Sequence, residues 1–329
     1  MAAITTSLVA ESPQLRPLNV VRDLPAVADL VEKCFADTID DEGRRYIQQM
    51  RRAGQDNSFL RWAALAVDSV SMPLSGYVWE ENGSIVGNVS LIPYRHQKQR
   101  YYLIANVAVH PDARRRGLGR ALTEAAINHA RQRRADQIWL HVRDDNPGAI
   151  RLYLRLGFQE LARRTHWRAR PDRSATTDGL GVQVVERARL DWHQQEAWLR
   201  RLYPDLMTWY QPMPWFSLRP GLLPAFYRFM MDYEVRHWSA LLEGASPVVL
   251  YWQAMTGQND RLWAAVPAQG AERALTALLL HARRSLAWRQ TLNLDFPAGE
   301  CAASIQAAGF RPLRTLLWMK LQPSDSVDP

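Results

Sequence analysis

The chain has 329 residues, of which 47% are hydrophobic and 22% charged, and its formal net charge is +8. This length favours two domains of ordinary size, and the composition is typical of a globular protein rather than a disordered one. The sequence lacks an apolar run near the roughly 18 residues that span a bilayer, so we expect no membrane partner.

The first elements are predicted from hydrophobic spacing. Residues 1–13 are expected to form a flexible tail and Leu15–Val20 a short extended segment. A helix is predicted to follow, with Asp23 as its N-cap and apolar residues at helical spacing up to Phe35. A second helix is predicted from about Asp41 to Arg52.

The next segments predict a three-stranded meander followed by alternating helices and strands. Its strands are Gly76–Trp79, Ser84–Ile92 and Tyr101–Val109, and Asn82-Gly83 is a hairpin signal between the first two. A helix from about Gly117 to Arg134, a strand at 137–143 and a helix at 147–156 follow. Gly157 stands at a helix C-terminus. The chain then returns to a strand at Phe158.

The second half of the sequence repeats this order faintly. Residues 171–181 are rich in Pro, Ser, Thr, Asp and Gly and are predicted to be a linker. Beyond them, 182–322 again shows a strand, a helix, a meander, a helix and a strand, with Gly309-Phe310 mirroring Gly157-Phe158. Residues 323–329 are expected to be a tail.

The two cysteines, Cys34 and Cys301, are far apart in the sequence. This spacing fits neither a disulfide framework nor a zinc site, so we expect no metal and a reducing, cytoplasmic setting.

A basic, glycine-containing segment lies between the third strand and the following helix. A helix N-terminus offers free N–H groups and partial positive charge, which suit a pyrophosphate. Gly117 and Gly119 let phosphate oxygens approach the backbone, and Arg115, Arg116 and Arg120 add attraction. By itself this segment is better explained as an ordinary glycine turn that opens a surface helix, and the net charge alone also fits a nucleic-acid surface.

A second segment, residues 140–158, narrows the interpretation. Asn146 is placed to cap a helix. Tyr153, seven residues later, shares a helical face with Asn146 and Ala149. The segment therefore places the Tyr153 hydroxyl on the same face of the helix as its capping residue, Asn146.

Together, the two segments resemble the paired signature motifs of GCN5-related N-acetyltransferases, the GNAT superfamily. The matching residues are Arg114-x-x-Gly117-x-Gly119 and Asn146-x-x-Ala149-x-x-Leu152-Tyr153-x-x-x-Gly157-Phe158. The resemblance covers residues 14–170, which would form the catalytic domain. It implies an α+β fold of two GNAT-like domains, each a twisted, mixed, mostly antiparallel sheet flanked by helices.

The resemblance also implies residue roles. Val107, Ala108 and Val109 would pair with the pantetheine arm of acetyl-CoA, and Asn146 would hydrogen-bond that arm. The loop would wrap the pyrophosphate through Arg115, Arg116, Gly117, Leu118, Gly119 and Arg120. Tyr153 would protonate the departing thiolate, since a phenol can donate as charge builds on sulfur.

The general base is left open by the sequence. His141 lies where relatives that acetylate protein N-termini carry a glutamate, and a histidine, with an ordinary pKa of about 6.5, could do the same work as a base. It could equally be a histidine that only lines the sheet. Asp40, Asp41 and Glu42 are further carboxylates that could contact the acceptor.

The second half keeps the fold pattern but not the motifs. Gly270 and Glu272 stand where the arginine-glycine loop would be, and Ile305 stands at the tyrosine position. We therefore expect a degenerate second domain at 182–322 without a cofactor. Its tryptophans and tyrosines, among them Trp209 and Trp238, are expected to fill its core.

The sequence thus predicts an acyltransferase that moves an acetyl group from acetyl-CoA to a primary amine, with a small molecule as the first choice of acceptor. A protein N-terminus or lysine is the alternative acceptor. A non-catalytic acyl-CoA-binding module is a further alternative. We expect no nucleic-acid partner, and a homodimer stays open.

Overall fold

The structure is a computed structural model that describes residues 13–36, 39, 41–53, 73–186, 192–210, 212–241, 247–255 and 260–322. The predicted tails therefore lie outside the described residues, apart from Pro13. So do Asp40 and the side chains of Asp41 and Glu42. The chain forms two compact units, Met1–Leu161 with Trp318–Pro329, and Ala162–Leu317.

The first unit has helices on a mixed sheet. Its helices are α1 (Val20–Phe35), α2 (Asp41–Ala53), α3 (Leu118–Gln132) and α4 (Pro147–Arg155). Its strands are β1 (Leu15–Pro17), β2 (Ser75–Glu81), β3 (Ser84–His96), β4 (Gln99–Val109) and β5 (Gln137–Arg143), with the start of β6 (Phe158–Ala169) and the end of β12 (Arg311–Leu321).

The strands of this unit follow the order β1-β2-β3-β4-β5-β12-β6. Pairing is antiparallel from β1 to β4 and parallel between β4 and β5, as expected of a mixed, mostly antiparallel sheet. Trp318–Leu321, from the far end of the chain, complete this unit, and Gln322 N donates to Gly157 O at 3.3 Å. The sequence did not predict this placement.

The start of α1 differs from the prediction. Asn19, not Asp23, is the N-cap, and its Oδ1 accepts from the backbone N–H groups of Val21 and Arg22 at 3.1 and 3.2 Å. Asp23 lies inside the first turn, is only 2% exposed and pairs with Arg16. The helix begins earlier because Val20 faces the same core as Leu24, and a start at Asp23 would leave Val20 outside the helix.

Two turn predictions are confirmed by backbone geometry. Asn82 and Gly83 both have positive φ, +50° and +78°, the combination that a tight hairpin between β2 and β3 requires. Gly157 has φ +89° directly after α4, as a helix-terminating glycine should.

The second unit repeats the arrangement of the first, with helices and a mixed sheet. Its strands are the rest of β6 and β12, with β7 (Gln183–Glu186), β8 (Val235–Leu241), β9 (Val248–Gln253), β10 (Asp260–Ala265) and β11 (Leu292–Pro297). Its helices are α5 (Trp192–Leu202), α6 (Trp215–Leu218), α7 (Leu222–Met230), α8 (Glu272–Ser285) and α9 (Ala302–Ala307). The strand order is β12-β6-β11-β10-β9-β8-β7, again with one parallel pair, β10 with β11.

The aromatic residues that the sequence assigned to the core of the second unit are buried only in part, since Trp215 and Tyr227 are half-buried. Trp238 is fully buried and Trp209 nearly so, while Tyr210 is exposed. The predicted linker is partly packed into this unit, since Asp172 N donates to Arg283 O at 3.0 Å. The domain bounds 14–170 and 182–322 stay a prediction, because the compact units instead divide inside β6 and β12.

None of the helices in the described part of the chain is long and apolar enough to cross a bilayer.

Candidate active site

The basic loop lies at the N-terminus of α3, where the sequence placed it. β4 ends at Val109, a 3₁₀ turn covers Pro111–Ala113, and Gly117 is the N-cap of α3 with φ +86°. A Cβ at Gly117 would meet nothing within 4 Å, so the glycine serves its backbone conformation and leaves the helix N-terminus open. Free N–H groups therefore face an unobstructed space, as an anion site needs.

Gly119 has a different role, which is close packing. A Cβ added there would lie 3.6 Å from Leu152 Cδ2 and 3.9 Å from Val109 Cγ2. The first turn of α3 therefore approaches both the end of β4 and helix α4. This contact brings the two sequence motifs together, with Tyr153 next to the touching leucine.

Two loop arginines already hold carboxylates. Arg116 donates to both oxygens of Glu81 at 2.7 and 3.1 Å, and these bonds together with that of Trp79 lower the pKa of Glu81. Arg120 Nε donates to Glu124 Oε1 at 2.9 Å. Exposed pairs of this kind contribute about 0–1 kcal/mol, so a pyrophosphate could displace them at small cost.

β4 and β5 pair over only part of their length. The parallel ladder joins Tyr101–Ile104 to Gln137–Leu140. Beyond it, the edge of β4 at Val107–Val109 has no ladder with β5, although its other edge still pairs with β3. An unpaired strand edge can accept an extended ligand as if it were another strand. The resemblance assigns the pantetheine arm to the gap that this leaves between β4 and β5, although Val109 O already accepts from Cys34 Sγ and Arg114 Nε, each at 3.2 Å.

An irregularity in β4 begins beside this gap. Asn106 has φ +50°, and the register with β3 shifts between Asn88 and Ser90. Asn88 is fully buried, and its Nδ2 donates to Asn106 O at 2.9 Å. Asn106 Nδ2 in turn donates to Tyr46 Oη at 3.0 Å and to Ser90 Oγ at 3.3 Å. Sequence reasoning missed this cluster, because no motif spacing links α2, β3 and β4.

Tyr153 combines a buried ring with a hydroxyl that lacks a protein partner. The residue is 6% exposed, and its ring packs edge-on against Phe158 with 6.0 Å between centroids. Within the described part of the chain, no group hydrogen-bonds its Oη, yet that oxygen is not among the fully buried polar atoms. Burial raises the pKa of Tyr153 well above its usual value, which keeps the phenol protonated.

Asn146 caps α4 as predicted, and its Oδ1 accepts from Ala149 N at 3.1 Å. The side chain is exposed, and the cap occupies its oxygen. Its amide N–H₂ is the group that would serve a ligand.

His141 lies on β5 directly after the last paired residue, Leu140. Its ring contacts the ring of Trp318, with 4.0 Å between centroids and a 44° tilt. Trp318 belongs to β12, so sequence reasoning did not connect the two residues.

The corresponding place in the second unit is filled by its own side chains. The β10–β11 ladder ends at Leu262 and Leu294, so Ala264 corresponds to Asn106. Ala264 N donates to the buried hydroxyl of Tyr203 at 3.2 Å, and the Arg164 guanidinium lies 5.2 Å above that ring. Ile305, at the tyrosine position, is fully buried.

Comparison with known proteins points to one family. The sequence model described as "Acetyltransferase (GNAT) family" matches residues 26–158. The [ribosomal protein bS18]-alanine N-acetyltransferase of Escherichia coli K12 is 45% identical over 80 residues, 24% of this chain and 50% of that protein. The mycothiol acetyltransferase of Thermobispora bispora is 32% identical over 162 residues, 47% of this chain and 50% of that protein.

This chain thus spans about half the length of these curated relatives. Among solved structures, a GCN5-related N-acetyltransferase from Sphaerobacter thermophilus is 14% identical, with a TM-score of 0.54. The alignment covers 96% of this chain and 98% of that one. At this low identity, it shows a likeness of fold alone.

Proposed function

We propose that this chain transfers an acetyl group from acetyl-CoA to a primary amine, because its residues 26–158 match the model of the GNAT acetyltransferase family. The observation that carries the proposal is the meeting of three features in the first unit. These are the open N-terminus of α3, the unpaired edge of β4 and the Tyr153 hydroxyl.

The charge of the loop and the open N-terminus of α3 suit the pyrophosphate of acetyl-CoA. The N-terminus of α3 and Arg115, Arg116 and Arg120 would hold the pyrophosphate. The free edge at Val107–Val109, together with the Asn146 amide, would hold the pantetheine arm. In this arrangement acetyl-CoA supplies an activated thioester, and the protein supplies position and protons.

The chemistry assigned to the protein is proton transfer around a direct attack. The amine nitrogen bonds to the acetyl carbon and the carbon–sulfur bond breaks. Tyr153 donates its proton to the departing sulfur, and its raised pKa keeps that proton available at neutral pH. His141, at the edge of the gap, accepts the proton that the amine loses.

A small-molecule amine is the proposed acceptor class. The match to a mycothiol acetyltransferase runs over 162 residues and supports it. A protein N-terminus is the second candidate, favoured by 45% identity to the ribosomal-protein enzyme over 80 residues. His141 stands where enzymes that acetylate protein N-termini are expected to carry a glutamate. This difference argues against assigning their protein substrate to this chain.

Two measurements test the proposal. Isothermal titration with acetyl-CoA should show micromolar binding, and no binding at that level would sink the proposal. A screen of small amines and N-terminal peptides, with detection of the free CoA thiol, should show turnover with small amines. Turnover with peptides alone would reassign the acceptor, and binding without any turnover would support the non-catalytic alternative.

A further inference from the structure

A cavity of about 320 Å³ lies wholly within the second unit, apart from the site described above. Its walls come from β7–β9 on one side and from α5 to α7 on the other. This volume is in the range of pockets that take metabolite-sized ligands, about 300–1,000 Å³. The proposed acetyl transfer makes no use of it.

The floor of the cavity is polar and ordered. Gln195 is 3% exposed and Tyr251 2%, and both line the cavity. The Tyr251 hydroxyl donates to the side-chain Oε1 of Gln195. Burial raises the pKa of Tyr251, so the hydroxyl stays neutral and can serve as a hydrogen-bonding group at the base of the cavity.

The wall carries two guanidinium groups with different neighbours: Arg228 has no acidic neighbour among the described residues, whereas Arg219 lies near enough to Glu196 to help lower the pKa of that carboxyl. Arg228 Nη1 donates to Ser217 O at 2.8 Å and to Arg219 O at 3.3 Å. Across the described residues, neither Arg228 nor Arg219 forms an ion pair with a carboxylate. Burial lowers the pKa of Arg228, which shows that part of its hydration is lost without an acid to replace it.

The other charged groups of the lining do not compensate these arginines. Arg236 has its own partner, with 3.0 Å to Glu234 Oε1. Glu186 is exposed and, in the part of the chain that is described, pairs with no arginine. The lining therefore keeps an excess of positive charge beside partly buried donors. Partly buried charge is costly unless it is paired, and a planar guanidinium binds carboxylate or phosphate through two parallel hydrogen bonds.

We propose that this cavity binds the oxyanion group, carboxylate or phosphate, of a metabolite-sized ligand, with Arg228 as its main contact. Arg219 stands beside it at the cavity wall, and Gln195 with Tyr251 face the rest of the ligand. The second unit then has a binding function of its own, which does not depend on the acetyl-CoA site.

The test measures thermal unfolding of the full chain without acetyl-CoA, in sodium phosphate, sodium acetate and sodium chloride at equal ionic strength. Phosphate and acetate separate the two sources of the oxyanion. The proposal expects one of them, at millimolar concentration, to raise Tm by about 3 °C more than chloride does. Arg228→Gln should abolish this difference, while Arg273→Gln, an exposed arginine of the same unit, should keep it.

No shift beyond chloride in the unsubstituted protein would overturn the proposal, as would an equal shift in the Arg228→Gln protein. If Arg228→Gln does not fold, Arg228→Lys keeps the charge but loses the two-pronged geometry. Isothermal titration of that variant should then give about tenfold weaker binding of the same anion, and unchanged binding overturns the proposal.

Discussion

At the scale of single residues, Tyr153 shows how burial and access are combined. Its ring lies in the core, and its hydroxyl has no hydrogen-bond partner among the residues that the structure describes. If Tyr153 served only for packing, a phenylalanine at this position would serve equally well. The function of the hydroxyl can therefore be separated from the packing of the ring by removing one atom.

Tyr153→Phe should lower kcat by about 10²- to 10⁴-fold, the usual contribution of a positioned acid. The dissociation constant for acetyl-CoA, measured by titration, should change by less than about twofold, because the ring contact with Phe158 is kept. Unchanged turnover would refute the acid role.

The pH dependence of the unsubstituted enzyme gives an independent check. Burial raises the pKa of Tyr153 above the usual value of about 10, so the protonated acid persists to higher pH than a free phenol would. We expect kcat not to decline on the alkaline side below about pH 10. A fall centred near pH 8 would assign proton donation to another group.

Asp23 offers a prediction about stability. Burial alone would raise the pKa of this carboxyl, but hydrogen bonds from Arg16, Arg22 and the Asn19 backbone outweigh it and hold the pKa below its usual value. Since the folded pKa is lowered, the stabilisation is present above pH about 4 and is lost as pH falls through the folded value.

Asp23→Asn should therefore lower the free energy of unfolding by about 3 kcal/mol at pH 7, because Arg16 loses its buried partner. The difference should shrink below pH about 4. Asp112→Asn, whose side chain is 90% exposed, is the matched control and should change stability little. Chemical denaturation at both pH values measures this, and equal effects of the two substitutions would contradict the assignment.

At the scale of elements, sequence reasoning succeeded wherever the signal was local. The Asn82-Gly83 hairpin, the Asn146 cap and the terminating Gly157 are each set by a few adjacent residues. It failed at the start of α1, where an asparagine four residues before Asp23 is the better cap. Sequence reasoning also missed α6, which has only 4 residues, and α7, which carries Pro224 in its first turn.

The Asn88–Asn106 contact lies beyond any local signal. It depends on the register between β3 and β4 and on a positive φ at Asn106, and a register shift is fixed only by the assembled sheet. The candidate site was therefore predictable in its loop and its tyrosine, which carry motifs. The polar cluster that packs beside them was not.

The loop before α3 gives a prediction about cofactor binding. Arg116→Gln should raise the dissociation constant for acetyl-CoA about fivefold to tenfold, since one charge-assisted contact to phosphate is lost. Glu81→Gln should not weaken binding, because it only releases Arg116 from its present partner. Titration at two salt concentrations measures both, and the Arg116 effect should shrink at high salt. If Arg116→Gln and Glu81→Gln lower Tm equally and leave the dissociation constant for acetyl-CoA unchanged, the Arg116–Glu81 pair has a structural role alone.

At the scale of the whole molecule, the first unit is not one continuous stretch of chain. Trp318–Leu321 lie between β5 and β6 in its sheet, and Trp318 contacts His141. Sequence reasoning assigned this strand to the second domain, because a repeat pattern orders elements along the chain and contains no information on which sheet receives a strand.

Truncation before Trp318 should therefore remove an internal strand from the first unit and abolish acetyl-CoA binding together with its cooperative unfolding. Truncation after Gln322 removes none of the described contacts and is the control. Titration and thermal unfolding of both proteins measure this. Retained acetyl-CoA binding in the shorter protein would show that the first unit is complete without its last strand.

The placement of that last strand also has a consequence for biosynthesis. Residues 1–161 emerge from the ribosome before Trp318 is made. At that stage of synthesis, the edge of β5 in the first unit is uncovered. Contacts between residues so distant in sequence form slowly, and uncovered strand edges invite pairing with other chains. The protein should therefore acquire acetyl-CoA affinity only after Trp318–Leu321 have been made, and slowed elongation in the second half should increase its dependence on chaperones.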